Sequence, residues 1–367
     1  MPCVGTAAGR GGREPGPTRC SAGRAVVPVV QRPGTGPWGL RWIRIGFPSG
    51  PRRAPHSKAR FCRGIPDSEG PSSKPMSEAV LTTARNYLDL TKPRLLPMVL
   101  FTGLPVMGMA AGGWPDLSFG LLILLGIALA AASANTLNAY IERDKDALME
   151  RTRERPLPAG LIPPRSALVF GLVLAAASTG LLAWVSGTAA ALVGVASILF
   201  YVFVYTVWLK PRSIWNAVIG GAAGAAAPLI ADAAVNGSIG AAGWALFAIV
   251  FFWQPPHVWA IALYRKADYK AAGIPMPPDV IGDEATRRRV VAYTAGLLPV
   301  TLAPFFLGLL GPIYCAIAAA AGLWFLYHAV RLFQERSDEA ARGVFRVSLG
   351  FLAAVFIAML LDLLVPL

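Results

Sequence analysis

One stretch of the chain concentrates residues able to do chemistry. It reads Asn138-Ala-Tyr-Ile-Glu142-Arg-Asp144-Lys-Asp146 and is followed by Arg151-Thr-Arg153-Glu-Arg155-Pro156-Leu157. On a helix, steps of four residues advance about 400°, which sets Asn138, Glu142 and Asp146 on one slowly drifting face. Three converging oxygen donors suit Mg²⁺, an ion that prefers oxygen, keeps several waters, and is typically held by one or two carboxylates plus substrate phosphates. Asp144 lies off that face and serves either a second metal or solvent. Arg151 and Arg155 offer planar forks to a diphosphate, and Lys210 and Lys266 offer point charges. The competing reading is a solvated helix end with alternating charge, and a second constellation downstream weighs against it.

That second constellation runs Trp253-Gln-Pro255-Pro256-His257-Val-Trp259, then Tyr264-Arg265-Lys266-Ala-Asp268-Tyr269 and Gly273-Ile-Pro275-Met276. His257 falls inside an apolar segment, where an ionisable residue is a functional-site expectation by default. His328 lacks such neighbours and reads as an ordinary bundle histidine. Pro255-Pro256 removes backbone donors and predicts a kink or break, a feature that in lipid lines protein-buried or wet space. Asp232 and Asp362 fall away from both constellations and read as interfacial.

The elements that must position these groups are membrane helices. Of 367 residues, 55% are hydrophobic and 15% charged, and the mean hydropathy is +0.53, outside the balance of a soluble domain. Spanning a hydrocarbon core of about 30 Å takes about 20 apolar helical residues. Such stretches fall near 95–112, 118–140, 166–186, 188–208, 215–235, 241–263, 290–310, 312–332 and 345–365. The expected fold is therefore an all-α integral membrane protein, a bundle of about nine transmembrane helices. Lys and Arg gather in alternate loops, and the loops near Gly113, Gly187, Asn236 and Gly311 carry none. Both acidic constellations thereby fall on the positive, cytoplasmic face.

The net charge of +14 does not indicate nucleic acid. Residues 1–75 hold 13 Lys and Arg against 3 acidic residues, so ten of the fourteen charges sit in one Pro-, Gly- and Arg-rich arm. The arm has too little apolar surface to offset its ordering entropy and reads as disordered. It is either a targeting segment or a start placed too early, with Met76 the expected natural start of a membrane domain over 76–367. Cys3, Cys20 and Cys62 lie in it and only Cys315 in the apolar body, with no metal-ligand spacing.

These motifs resemble the UbiA superfamily of intramembrane prenyltransferases, in particular its protohaem-farnesylating branch. The resemblance rests on Asn138-x-x-x-Glu142-x-Asp144-x-Asp146 with Arg151-Thr-x-x-Arg155-Pro-Leu, on Tyr205-Thr-x-x-Leu209-Lys210 leading to Asn216, and on Pro255-Pro256-His257-x-Trp259. Tyr264 to Tyr269 and Ala272-Gly273-Ile-Pro275-Met276 complete it, and it covers nearly all of residues 85–365. Glu142 stands where the family often has Asp, Pro211 where a basic residue is common, and Val258 where Phe is common. Tyr264 occupies the first position of a second motif that is richer in carboxylates elsewhere, which puts a second directly bound Mg²⁺ in doubt.

The resemblance implies a nine-helix bundle around a lipid-open cavity, with Mg²⁺ as cofactor and farnesyl diphosphate and protohaem IX (haem B) as substrates. Asn138, Glu142, Asp144, Asp146 and Asp268 would be metal ligands, and Arg151, Arg155, Lys210 and Lys266 would bind the diphosphate. Tyr264, Asn216 and Trp259 would contact substrate, and His257 would ligate the haem iron or orient a water. The expected site is a bacterial plasma membrane, or the mitochondrial inner membrane if the arm is a targeting signal. A haem A synthase or an oxidase-assembly factor is the expected protein partner. The nearest alternative acceptor is a quinone precursor, against which the Pro-Pro-His and Gly-Ile-Pro-Met segments argue. A transporter would place ionisable groups near the bilayer midplane with repeat symmetry, and here the acids gather at one mouth.

Overall fold

Every apolar run of the body forms a helix. The computed structural model describes residues 76–365, so the reading of the basic arm lies outside the described residues. In chain order the helices are α1 Met76–Leu90, α2 Leu96–Ala111, α3 Leu117–Asp146, α4 Pro164–Ser186, α5 Thr188–Leu209, α6 Asn216–Asn236 and α7 Ala241–Tyr264. They continue with the short α8 Lys266–Ala271 and α9 Pro277–Val280, then α10 Asp283–Phe306, α11 Pro312–Glu335 and α12 Asp338–Leu364. Among the described residues there is no strand.

Eight of these helices are long and apolar enough to cross a membrane. The ninth expected segment is α2, whose 16 residues span about 24 Å, short of a full hydrocarbon core. It is bounded by Pro97 in its first turn and by Gly112 in the left-handed conformation at its end. The expected bundle is thus present, with eight full-length spans and one short one.

Small residues bring the first hairpin together. A Cβ on Gly126 would stand 2.6 Å from Leu182, and one on Gly171 would stand 2.8 Å from Leu137. Ser178 donates to the Gly126 carbonyl and Ser133 to the Gly171 carbonyl, each at 2.8 Å, so α3 and α4 clasp reciprocally. Without a hydrophobic drive between helices in lipid, such close packing and hydrogen bonding hold a bundle together.

Two helices are irregular where they face the site. The last ten residues of α5, Phe200–Leu209, wind as a π-helix, a form that recurs at functional positions. Helix α6 is broken into Asn216–Ile219, Gly221–Gly224 and Ala226–Asn236. Of the kink or break expected at Pro255 and Pro256, the break is absent, because α7 runs without interruption through them; the broken helix is its neighbour α6.

Asp232 and Asp362 lie beside the uncharged loops, as expected, and are buried by the protein there. Asp232 accepts from the N–H groups of Gly240 and Gly243, both at 2.8 Å, and from Asn236 Nδ2 at 2.7 Å. Asp362 accepts from the N–H groups of Gly311 and Tyr314. Each carboxylate satisfies orphan donors at the start of α7 or α11, where the helix dipole also favours negative charge.

Candidate active site

Helix α3 continues to Asp146, so the four-residue spacing puts Asn138, Glu142 and Asp146 on one face as the periodicity requires. All three are buried, at 2%, 7% and 7% exposure. Asn138 Nδ2 donates to Glu142 Oε2 at 2.9 Å and to Thr206 Oγ1 at 3.1 Å. Lys210 Nζ sits 2.6 Å from Glu142 Oε1 and 2.7 Å from Oε2. Arg155 lies 2.9 Å from Asp146, and Thr152 ties the intervening loop to the Asp146 carbonyl at 2.7 Å. Buried carboxylates require such partners, because an isolated one is costly to keep ionised away from water.

Lys92, which no motif in the sequence singles out, completes the group. Its Nζ donates to Asn138 Oδ1 at 2.9 Å. The residue stands at φ 55°, a left-handed conformation uncommon for a side chain of this size, and this backbone turn before Pro93 belongs to the segment that delivers the ammonium. Burial and the nearby Arg155 and Lys210 cations lower the Lys92 pKa to about 8, against the pull of Glu142 and Asp146. Burial would lower the Lys210 pKa as well, but Tyr205 and the Glu142 carboxylate outweigh it and raise that pKa. Lys210 additionally lies 5.6 Å from the centre of the Tyr205 ring.

Other expected residues go elsewhere. Asp144 points to solvent, its side chain 84% exposed and, among the described residues, paired only with Arg143 at 3.6 Å, because it lies half a turn off the buried face. Lys266 is captured by Asp283 at 2.5 Å. Asp268 pairs with Arg265 at 3.2 Å and borders a small cavity with Tyr264 and Arg342. Trp259 is fully buried against Tyr293, with ring centroids 5.0 Å apart. Two residues on a helix turn about 200°, so Trp259 cannot share the face of His257. Asn216 borders the main cavity and ties the α6 start to the Pro275 carbonyl at 2.9 Å.

The main cavity measures about 780 Å³. Apolar side chains such as Met98, Ile127, Ile230 and Leu352 line much of it, and Arg94, Asn135, Arg151, Tyr201 and Tyr205 contribute polar groups. Asn135 lies one turn before Asn138, so the acid and cation cluster adjoins this space. His257 lines it too, stacked on Trp253 with centroids 4.5 Å apart. A mostly apolar pocket with convergent polar groups is the form a substrate site takes.

Among the described residues no three His, Cys, Asp or Glu side chains form a metal cage. The set present is one amide and two carboxylates, all hard oxygen donors, with Lys92, Lys210 and Arg155 as their partners. This fits Mg²⁺, which leaves its remaining positions to waters and phosphate oxygens. The three cations reach the cluster on flexible side chains that can turn toward those phosphates.

A model of the UbiA prenyltransferase family matches residues 99–359. The protoheme IX farnesyltransferase of Gloeobacter violaceus is 46% identical over 284 residues, 77% of this chain and 93% of that protein. The protein of the same name from Acidiphilium cryptum is 44% identical over 292 residues, 77% and 92% of the two chains. In structure, a digeranylgeranylglyceryl phosphate synthase is similar with a TM-score of 0.66 at 18% identity, covering 77% of this chain and 99% of that one. A UbiA homolog from Archaeoglobus fulgidus bound to DMAPP and Mg²⁺ is similar with a TM-score of 0.54 at 20% identity, covering 75% and 99%. The solved structures share the fold; the farnesyltransferases share sequence over most of the body.

Proposed function

The chain belongs to the UbiA prenyltransferase family, and from that premise we propose how it transfers the farnesyl group of farnesyl diphosphate to a vinyl group of protohaem. The observation that carries this reading is the buried Asn138, Glu142, Asp146 and Lys210 cluster beside an apolar cavity that also holds His257. Asn138, Glu142 and Asp146 would hold Mg²⁺, which supplies Lewis-acid stabilisation of charge growing on the leaving diphosphate. Lys92, Arg151, Arg155 and Lys210 share that charge, and removing one such donor commonly lowers the rate by about 10² to 10³.

The allylic C–O bond breaks and diphosphate leaves with the electron pair. The apolar wall keeps water from the allylic cation until the vinyl carbon attacks it. A C–C bond forms, the positive charge moves to the carbon beside the porphyrin, and water adds there with loss of a proton. The product carries a hydroxyethylfarnesyl chain in place of the vinyl group. We place the reaction at the cytoplasmic face of a bacterial plasma membrane, following the basic loops. The product is lipid-soluble, which favours its transfer within the bilayer to a haem A synthase or an oxidase-assembly partner.

The test supplies membranes containing the full chain with protohaem, farnesyl diphosphate and Mg²⁺, and resolves the porphyrins by mass. A Mg²⁺-dependent farnesylated and hydrated haem is expected. Diphosphate release with unmodified haem would reject the acceptor, and no release by folded protein would reject the mechanism.

A further inference from the structure

Helix α12 holds His257 through Ser348. His257 Nδ1 lies 2.7 Å from Ser348 Oγ, and the same hydroxyl lies 2.7 Å from the Phe345 carbonyl. A serine hydroxyl has one hydrogen. Given to His257, that hydrogen would leave two oxygens 2.7 Å apart with no proton between them. Both contacts are hydrogen bonds only when Ser348 donates to Phe345 and His257 donates to Ser348. This fixes the tautomer with the proton on Nδ1 and a free electron pair on Nε2, the arrangement that second-shell partners impose on ligating histidines. Trp253 Nε1 donates to the Ser348 carbonyl at 2.7 Å and braces the ring stacked on it.

The two helices carry matching stripes. His257, Ile261 and Arg265 follow at four-residue steps along and just past α7, and Arg342, Phe345 and Leu349 follow along α12. Ile261, Phe345 and Leu349 line the main cavity. At the basic face both stripes end in a second cavity of about 300 Å³, bordered by Tyr264, Arg265 and Arg342. The Arg265 and Arg342 guanidiniums stand 6.0 and 5.3 Å from the Tyr264 ring centre. Arg342 has no carboxylate partner among the described residues, and Arg265 has only Asp268. Eight residues of helix carry the chain about 12 Å from His257 to Arg265, a separation that the iron-to-propionate reach of a haem covers together with the long arginine side chain.

We propose that protohaem docks with one face over these two stripes, with its iron on His257 Nε2 and its propionates held by Arg265 and Arg342. The vinyl edge, opposite the propionates, then lies in the cavity that Asn135, Tyr201 and Tyr205 border on the donor side. Ser348 is a positioning residue in this arrangement. The inference rests on protohaem being the acceptor.

The experiment titrates the full chain in lipid nanodiscs with ferric protohaem and with its dimethyl ester, following the Soret band and the electron paramagnetic resonance spectrum. Wild type should bind the acid at least tenfold tighter than the ester, because a charge-assisted clamp has nothing to hold on the ester. The Arg265→Gln, Arg342→Gln double variant should bind acid and ester equally, at the wild-type ester level. His257→Ala should lose the histidine-ligated signature. Ser348→Ala should give mixed axial states that Ser348→Thr restores to one. Unchanged farnesyl diphosphate binding in each variant shows that it is folded. A preserved acid preference in the double variant, or an unchanged spectrum in His257→Ala, overturns the pose while wild-type farnesylation keeps the acceptor. Wild type that neither binds nor converts protohaem overturns both.

Discussion

Buried carboxylates occur at both ends of this bundle, and their partners differ in kind. Glu142 and Asp146 are answered by the side chains of Lys210 and Arg155. Asp232 and Asp362 are answered chiefly by backbone N–H groups at the starts of α7 and α11. Backbone donors cannot leave without unwinding the helix that carries them, so the second pair is committed to holding the fold. A lysine or arginine can swing to a phosphate while a metal takes its place, so the first pair is free to exchange partners. Burial alone therefore does not mark a reactive acid; the mobility of its partner does.

The comparison breaks most visibly at Glu142. Glu142→Gln should lower kcat by about 10² to 10³ with little change in thermal midpoint, measured as farnesylated haem per folded protein. A loss of stability as large as the loss of rate would place Glu142 with the structural acids. Asp232→Ala should do the reverse. It strands the Gly240 and Gly243 donors and should destabilise by about 2 to 4 kcal/mol in a denaturation series, with kcat retained below the transition.

A finer test uses pH. Lys92 has its pKa lowered to about 8, so its charge is present below that value and lost as pH rises through it. From pH 7.5 to 9, kcat/KM for farnesyl diphosphate should fall roughly tenfold, in step with the protonated fraction. Lys92→Arg should remove the fall. The smallest effect belongs to Asp144→Ala, where an exposed pair is lost; activity should stay within about twofold and stability within about 0.5 kcal/mol.

What could be read in the sequence was whatever local periodicity controls. The nine apolar segments needed only their lengths. The Asn138, Glu142 and Asp146 face needed only the helical repeat, and Lys210 followed because the loops of one sign gather on one side. Lys92 was illegible for a physical reason: its reach to Asn138 crosses 46 residues and belongs to a left-handed turn that no local pattern announces. Lys266 was assigned to the diphosphate because a carboxylate 17 residues ahead competes for it only in three dimensions. The resemblance makes Trp259 a substrate contact alongside His257, and two helical steps set the two on opposite sides of α7. Pro255-Pro256 predicts a kink or break in α7; the helix stays continuous there, and the adjoining α6 is the broken one.

The π-helical end of α5 gives that stretch an unusual inheritance. From Phe200 to Leu209 the backbone bonds close over five residues, ending with the Lys210 N–H on the Tyr205 carbonyl at 2.8 Å. Its winding, more than the identity of any one residue within it, determines where Lys210 emerges. Removing a single residue would let the segment relax to ordinary winding and carry the ammonium around the helix, away from Glu142. Among descendants of a common ancestor, this segment can therefore drift in composition while its length stays fixed, so alignment gaps should avoid it even where its letters have changed.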